Sequence, residues 1–404
     1  MKKKTLPLKL FALVAAMMCA LGVSAAEAYA NYTPSNTTLT FYYDDLRSTR
    51  LGTTYDANDW PNWYSDGTNA NVTKVVFDSS FADARPTGTR RWFSGMVNLE
   101  SITGIAYLNT SEVTNMEMMF TSCKKLESLD VSHFNTAKVT DMSNMFRSCN
   151  LLTSLDVSSF NTAQVTTMEA MFEDCCVLTS LDLSNFNTSN VTNMRAMFNI
   201  CEALTSLNVS HFNTAQVTNM SDMFGSCKLL TSLDVSSFNT ANVTYVQRMF
   251  NGCKSLTSLD LSSFNTSKVT EMWWMFFNCP LLETIYVGDD WSTAAVTYSF
   301  NMFTSCTSLV GGQGTTYDAS HTDAAYAHID GGPSDPGYFT EKPIGLLGDV
   351  NGDGQVNITD VTVLITAVMH ENYSYIITAN SDMNGDTHIN ITDVTMLINV
   401  VMTN

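Results

Sequence analysis

Cysteines recur along this chain at a fixed step. Cys123, Cys149, Cys175, Cys201, Cys227, Cys253 and Cys279 are each 26 residues apart, and Cys306 follows after 27. Met-Phe pairs keep the same step: Met119-Phe120, Met145-Phe146, Met171-Phe172, Met197-Phe198, Met223-Phe224, Met249-Phe250, Met275-Phe276 and Met302-Phe303. A degenerate earlier copy has Trp92-Phe93, with Met96 in the cysteine slot. A long run of copies at such a period marks stacked supersecondary units. One unit cannot bury its apolar side chains alone, whereas identical neighbours stacked on it can. The 23 Met and 22 Phe therefore belong to a repeated core and not to a cofactor box.

One unit, Leu126 to Phe146, shows how a coil is expected to run. Leu129 and Val131 alternate with Ser128, Asp130 and Ser132, the period of a half-buried strand. Phe134, Asn135 and Thr136 read as a turn, because Asn bonds locally and tolerates unusual backbone angles. Val139 and Met142 suit a second short strand, and Met145, Phe146 and Cys149 fall at helical spacing. The cysteine ladder has two readings. Stacked strands approach closely enough for disulfides, but one cysteine per coil reads better as a buried packing position. Nine cysteines after Cys19 is also an odd number, and Cys176 stands off the grid. No histidine accompanies the ladder, which disfavours zinc.

These residues carry a family resemblance. The pattern MF-x-x-C-x-x-L-x-S-L-D-x-S-x-FNT-x-x-VT-x-M resembles the BspA-like surface-protein repeat of bacteria, and Leu126, Leu129 and Val131 resemble the leucine-rich repeat class. Phe134 stands where the usual leucine-rich form has Asn or Cys. The resemblance implies an α/β repeat solenoid, with a parallel sheet and short helices in each coil. It also implies a secreted or surface-exposed binding or adhesion protein, not an enzyme. The repeat is assigned to 92–310. Residues 31–91 are read as a β-rich N-terminal cap, with strands at Thr38–Tyr43 and Lys74–Asp78, and 311–346 as a C-terminal cap and linker ending in Gly and Pro.

The N-terminus reads as a leader. Lys2, Lys3, Lys4 and Lys9 precede an apolar run from Leu10 to Val23, followed by Ser24, Ala25, Ala26 and Ala28. That is a secretory signal peptide, assigned to 1–30. Cys19 follows Met18, not the small residue a lipidation signal wants, so a lipoprotein is not expected. The mature chain has no long apolar run to span a membrane. The net charge of −19 argues against nucleic acid as a partner.

Residues 347–404 change character, with seven acidic residues and no Lys or Arg. Six of the seven lie in two matching segments, DVNGDGQVNITD and DMNGDTHINITD. Oxygen ligands at positions 1, 3, 5, 7, 9 and 12 make a calcium loop. In the first these are Asp349, Asn351, Asp353, Gln355 (backbone), Asn357 and Asp360. In the second they are Asp382, Asn384, Asp386, His388 (backbone), Asn390 and Asp393. An amphipathic helix follows each, giving a small all-α module. The segment resembles a type I dockerin, in which Asp closes each loop. That resemblance implies Ca2+ at two sites and docking onto a cohesin-like protein. By the same resemblance Ile358, Thr359, Ile391 and Thr392, at positions 10 and 11, read the partner. Thr387 stands where the sixth position wants Gly, so the second site is expected to be weaker.

Asp130, Asp156, Asp182, Asn208, Asp234 and Asp260 form an exposed ladder, expected to be satisfied by Ser, Thr and backbone donors. A catalytic pair would be unique, not repeated in each coil. Trp273 and Trp274 occupy slots that are polar in most coils, and either stack on a sugar or pack on the neighbouring cap. His133 and His211 are expected to be solvated. The expected function is non-catalytic: the array binds a glycan or a host or bacterial surface protein, and the last module docks. The alternative is a component, or a hydrolase, of a polysaccharide-degrading, cellulosome-like complex.

Overall fold

The computed structural model describes residues 25–342, 347–352, 355–373, 376–384 and 388–403. The chain divides into two compact units, one running to Thr340 and the other starting at Glu341.

The first unit opens with a mixed sheet. Its strands are β1 (Glu27–Thr33), β2 (Thr38–Asp44), β3 (Thr53–Asp56), β4 (Lys74–Phe77) and β5 (Ser101–Thr103), ordered β3-β1-β2-β4-β5. β1 pairs antiparallel with β2 and β3, while β2, β4 and β5 run parallel. Phe41 sits under this sheet among Trp63, Phe77, Phe81, Trp92 and Phe93, with ring centroids 4.6 to 6.0 Å away. Trp63 lies on a one-turn helix, α1 (Asn62–Ser65), and its Nε1 donates to Trp92 O at 2.7 Å. The first strand reaches into the segment read as the leader. β1 starts at Glu27, and Tyr29 and Ala30 are wholly buried. A cut near Ala30 would remove half of a strand that pairs on both edges, so the folded cap begins inside the segment assigned to the leader. Residues 1–24, with Cys19, lie outside the described residues.

Successive repeats lie side by side and bridge in parallel, one register position per repeat, from Gly88–Asn115 through Asn115–Asp141 to Glu271–Tyr298. Of the two strands expected in each coil, the second carries the regular pairing. Of the L-x-S-L-D segments and their degenerate copies, three become strands among the described residues: β5 in the first repeat, and β6 (Ser258–Leu261) and β7 (Thr284–Val287), which pair in parallel. The regular bridge lies in the V-T-x-M segment, where the second short strand is expected. The expected short helices are also absent: no α-helix occurs among the described residues of 92–310. The Met-Phe segment is a chain of turns. Met119, Cys123 and Leu126 donate three residues back, to Met116, Phe120 and Cys123, each at 3.2 Å. The residues between them donate forward into the next repeat. Met116 N reaches Asp141 O at 3.0 Å, Met118 N reaches Ser143 O at 2.9 Å, and Phe120 N reaches Met145 O at 2.8 Å. Two residues per coil take left-handed angles to make this path, such as Met118 (57°) and Ser122 (61°).

The core runs the length of the array. Phe120, Phe146, Phe172, Phe198, Phe224, Phe250, Phe276 and Phe303 stack in one column, with centroids 5.6 to 5.9 Å apart and planes within 10°. All are wholly buried. Each ladder cysteine is free and buried, and its Sγ donates to the Phe carbonyl of the preceding coil, as Cys149 does to Phe120 at 3.3 Å. The far end is closed by 311–340. There the buried Asp330 carboxylate accepts from Gln313 N, Thr315 N, Thr315 Oγ1 and Gly332 N at 2.7 to 3.0 Å.

The second unit holds helices α2 (Ile358–His370), α3 (Thr378–Ser381) and α4 (Ile391–Thr403). Val350, Val361, Leu364, Met383, Val394 and Leu397 form its separate core. Asn380 ties α3 to the first loop, its Nδ2 donating to Asp349 O at 2.8 Å.

Candidate functional site

The two acidic loops close in the same way. Asp360 lies in the first turn of α2 and is wholly buried. Its Oδ1 accepts from Val350 N (2.8 Å) and Asn351 N (3.1 Å), and its Oδ2 from Asn357 N (2.9 Å). Asn357 caps α2, accepting from Thr359 N at 2.7 Å, so loop end and helix start are one capping box. Asp393 repeats the arrangement at the start of α4. It is wholly buried and accepts from Met383 N (2.8 Å) and Asn390 N (2.9 Å). Asp349 is also buried, and its Oδ1 accepts from Gly352 N at 2.8 Å.

This donor set suits a hard cation. The segment has no Lys or Arg, so no basic side chain of its own offsets carboxylates taken out of water. Asn351, Gln355, Asn357, Asn384 and Asn390 add carbonyl oxygens of the kind calcium takes, and His388 adds its backbone carbonyl. Asp353, Asp386 and Thr387 lie outside the described residues. Among the described residues, no group of three or more Asp, Glu, His or Cys is gathered closely enough to hold a metal.

The residues expected to read a partner stand directly on these loops. Ile358 and Ile391 are the first residues of α2 and α4, and are 66% and 67% exposed. Thr359 and Thr392 beside them are exposed too.

The comparisons with known proteins agree with this division. The family described as "Mycoplasma protein of unknown function, DUF285" matches at 87–207, 177–288 and 200–317, together more than half of the chain. The chain belongs to the DUF285 family. These repeats are those of BspA-like surface proteins, as the Met-Phe and cysteine pattern implied. The DUF285 array is followed by a type I dockerin domain, matched over 347–402, and such domains bind calcium. No curated protein matches the chain. A crystal structure of a leucine-rich repeat protein from Eubacterium ventriosum is similar at 15% identity, covering 82% of this chain and 98% of that one. Its TM-score is 0.27, too low to argue from.

On the DUF285 array, the acidic ladder is engaged as expected. Asp130 Oδ1 accepts from Ser132 N (3.0 Å) and Ser132 Oγ (2.6 Å), and Asn208 makes the same pair of bonds with Ser210. These bonds hold the Asp130, Asp156 and Asp182 carboxyls below their usual range. His133 and His211 are not simply solvated. Their Nε2 atoms lie 2.8 and 2.9 Å from the carbonyls of Ile105 and Leu183 in the preceding coil.

Trp273 and Trp274 meet edge to face, 6.0 Å between centroids, and each has a further ring partner. Trp274 stacks on Phe277 of its own coil, 4.9 Å between centroids. Trp273 lies between Arg248 of the coil before, 4.9 Å from its ring centre, and Phe300 of the coil after, stacked at 5.7 Å and 5°. Its Nε1 donates to Glu271 Oε2 at 2.9 Å. Sequence reasoning missed Phe300 and Tyr298, exposed by 52% and 61%. The available signal was an aromatic residue in a slot that most other coils fill with a polar one.

Proposed function

We propose that the chain is a secreted or cell-surface binding protein without catalytic activity. Its repeats form a leucine-rich-repeat-like solenoid that binds a glycan or protein ligand. Its calcium-loaded last module docks onto a cohesin-like partner. The observation that carries the docking half is the matched pair of exposed isoleucines, Ile358 and Ile391, each held on a helix start whose next inward residue is a buried carboxylate. Calcium at Asp349, Asn351, Gln355, Asn357 and Asp360, and at the corresponding second set, would neutralise those carboxylates and fix both helix starts. Two calcium sites are proposed, the second weaker.

The array supports binding over chemistry because its recurrent carboxylates are taken up by Ser donors in their own coils. The alternative is a component of a polysaccharide-degrading complex, favoured by the dockerin alone. The leader is proposed to be cut after Ala26, which leaves β1 whole. Amino-terminal sequencing of the secreted chain tests that point. The main test is capture by an immobilised type I cohesin with calcium and with chelator. Calcium-independent capture, or none in either condition, defeats the docking reading. Hydrolysis of a plant or host glycan, lost on changing one carboxylate, defeats the non-catalytic one.

A further inference from the structure

The cap at the end of the array leaves two rungs of the inter-repeat ladder uncovered. Inside the array four residues of a coil donate forward, except in the coil of Arg248, where three do. In the coil before the last, Met272 N reaches Tyr298 O (2.8 Å), Trp274 N reaches Phe300 O (3.3 Å), Phe276 N reaches Met302 O (3.0 Å) and Asn278 N reaches Thr304 O (2.8 Å). The last coil presents the same four donors as Ser299, Asn301, Phe303 and Ser305. The cap supplies two acceptors: Thr322 O takes Phe303 N at 3.0 Å, and the Tyr317 hydroxyl takes Ser305 N at 3.2 Å. Ser299 N and Asn301 N have no acceptor among the described residues. Between them stands the exposed Phe300, one ring face on Trp273, with the exposed Tyr298 beside it.

We propose that Tyr298–Asn301 is a docking edge for an extended peptide of another protein, which adds one more strand to the ladder. This rests on the proposed binding role of the array and specifies a peptide as the ligand. Unpaired N–H groups two residues apart, flanking an outward ring, match the carbonyl spacing of an extended chain. The same geometry joins one repeat to the next throughout the array, so the occupant continues an interface the molecule already uses. By that precedent the peptide places an aromatic ring on Phe300, as Phe300 itself lies on Trp273 of the coil before. A second copy of this chain is a poor occupant. Its matching rung begins at Gly88, which is buried against Asp59, and a Cβ there would lie 2.2 Å from Asp59 Oδ1. A sugar could rest on Phe300 but has no reason to meet both N–H groups in register.

The test uses the full calcium-loaded chain and a blocked peptide copying Val296–Thr304. Inside the array that segment already accepts from Met272 N and Trp274 N, at 2.8 and 3.3 Å, and it carries Phe300 in the slot that stacks on the coil before. Amide exchange at Ser299 and Asn301 should slow by about tenfold or more, with Met272 and Trp274 unchanged. Phe300→Ser should weaken peptide binding by about tenfold while leaving the melting temperature unaltered. The proposal is overturned by unchanged exchange at millimolar peptide, or by equal slowing with a scrambled peptide. Slowing by cellohexaose in place of the peptide, or self-assembly in sedimentation, overturns it equally. If the peptide fails while the array still retains a glycan, the edge is disproved and the broader binding role stands. If the array retains nothing, both fall.

Discussion

Thr136 and Asn161, one repeat apart, hold each other through a two-way clip. The Thr136 hydroxyl donates to Asn161 O at 2.9 Å and accepts from Asn161 N at 2.7 Å. Thr162 does the same to Asn187, at 3.0 and 2.8 Å. The FNT motif is thus a joint between coils: Phe fills the core, Asn turns the chain, and Thr clips the next Asn. These threonines are almost wholly buried, so a lost hydroxyl is not replaced by water.

Thr162→Val keeps the shape and removes the clip. It leaves Asn187 N and O without that partner, and should cost about 1–3 kcal/mol in chemical denaturation. Thr162→Ser retains the hydroxyl and should lose much less. Equal losses for both variants would show that the methyl group, not the clip, matters.

Ile200 is held at a positive φ of 61°. Gly252 and Asn278 occupy the same step two and three repeats later, also at positive φ. A β-branched residue pays most for this conformation. Ile200→Asn should therefore raise stability by about 1 kcal/mol, read as a higher melting temperature. A fall would mean that the Ile200 side chain contributes more packing than the backbone strain costs.

Asp330 links the end cap to pH. Burial alone would raise its carboxyl, but the bonds from Thr315, Gly332 and Gln313 outweigh burial and hold it far below the ordinary range. A depressed folded value contributes stability above the unfolded value of about 3.9, lost as pH falls below it. Asp330→Asn should cost about 2 kcal/mol at pH 7 and flatten the acid limb of the stability curve. An acid limb identical to that of the parent chain would assign the pH dependence elsewhere.

Much of this was legible in the sequence. The 26-residue step, the Met-Phe core and the capping strands at Thr38 and Lys74 are local or periodic signals. The second strand expected at Val139 and Met142 is where the regular bridge lies, whereas the strand expected over Leu129–Val131 does not form; the Asp130–Ser132 turn is not the reason, since Asp260 makes the same bonds within the paired β6. Met145, Phe146 and Cys149 resembled a helix because turns that bond three residues back also bring every third or fourth side chain inward. Sequence periodicity does not separate the two; left-handed residues such as Asn144 and Ser148 do. The Thr136 clip was invisible because its partner lies 25 residues away.

The ladder cysteines should be inert. Burial pushes Cys227 and Cys279 up to about 12, and raises Cys149, Cys175 and Cys201 as well. The reactive thiolate is scarce at such values. Iodoacetamide at pH 8 should label the half-buried Cys176 in the native chain and the ladder cysteines only after denaturation. Native labelling of Cys201 ahead of Cys176 would contradict the buried ladder.

Ile358 and Ile391 offer a test of docking separate from folding. Each opens its helix, is mostly exposed, and lies outside the core made by Val361, Leu364, Val394 and Leu397. Replacing either with Asp should leave calcium-induced helix formation intact, since an acidic residue in the first turn suits the helix dipole. If the two loops present equivalent faces, one substitution should weaken cohesin capture by less than about tenfold, and both together should abolish it. Asp360→Ala should act differently, by removing the carboxylate that joins loop to helix. It should reduce calcium-dependent helicity and lower capture through that face alone. Loss of all capture from Ile358→Asp alone, with helicity unchanged, would instead assign docking to the first loop only.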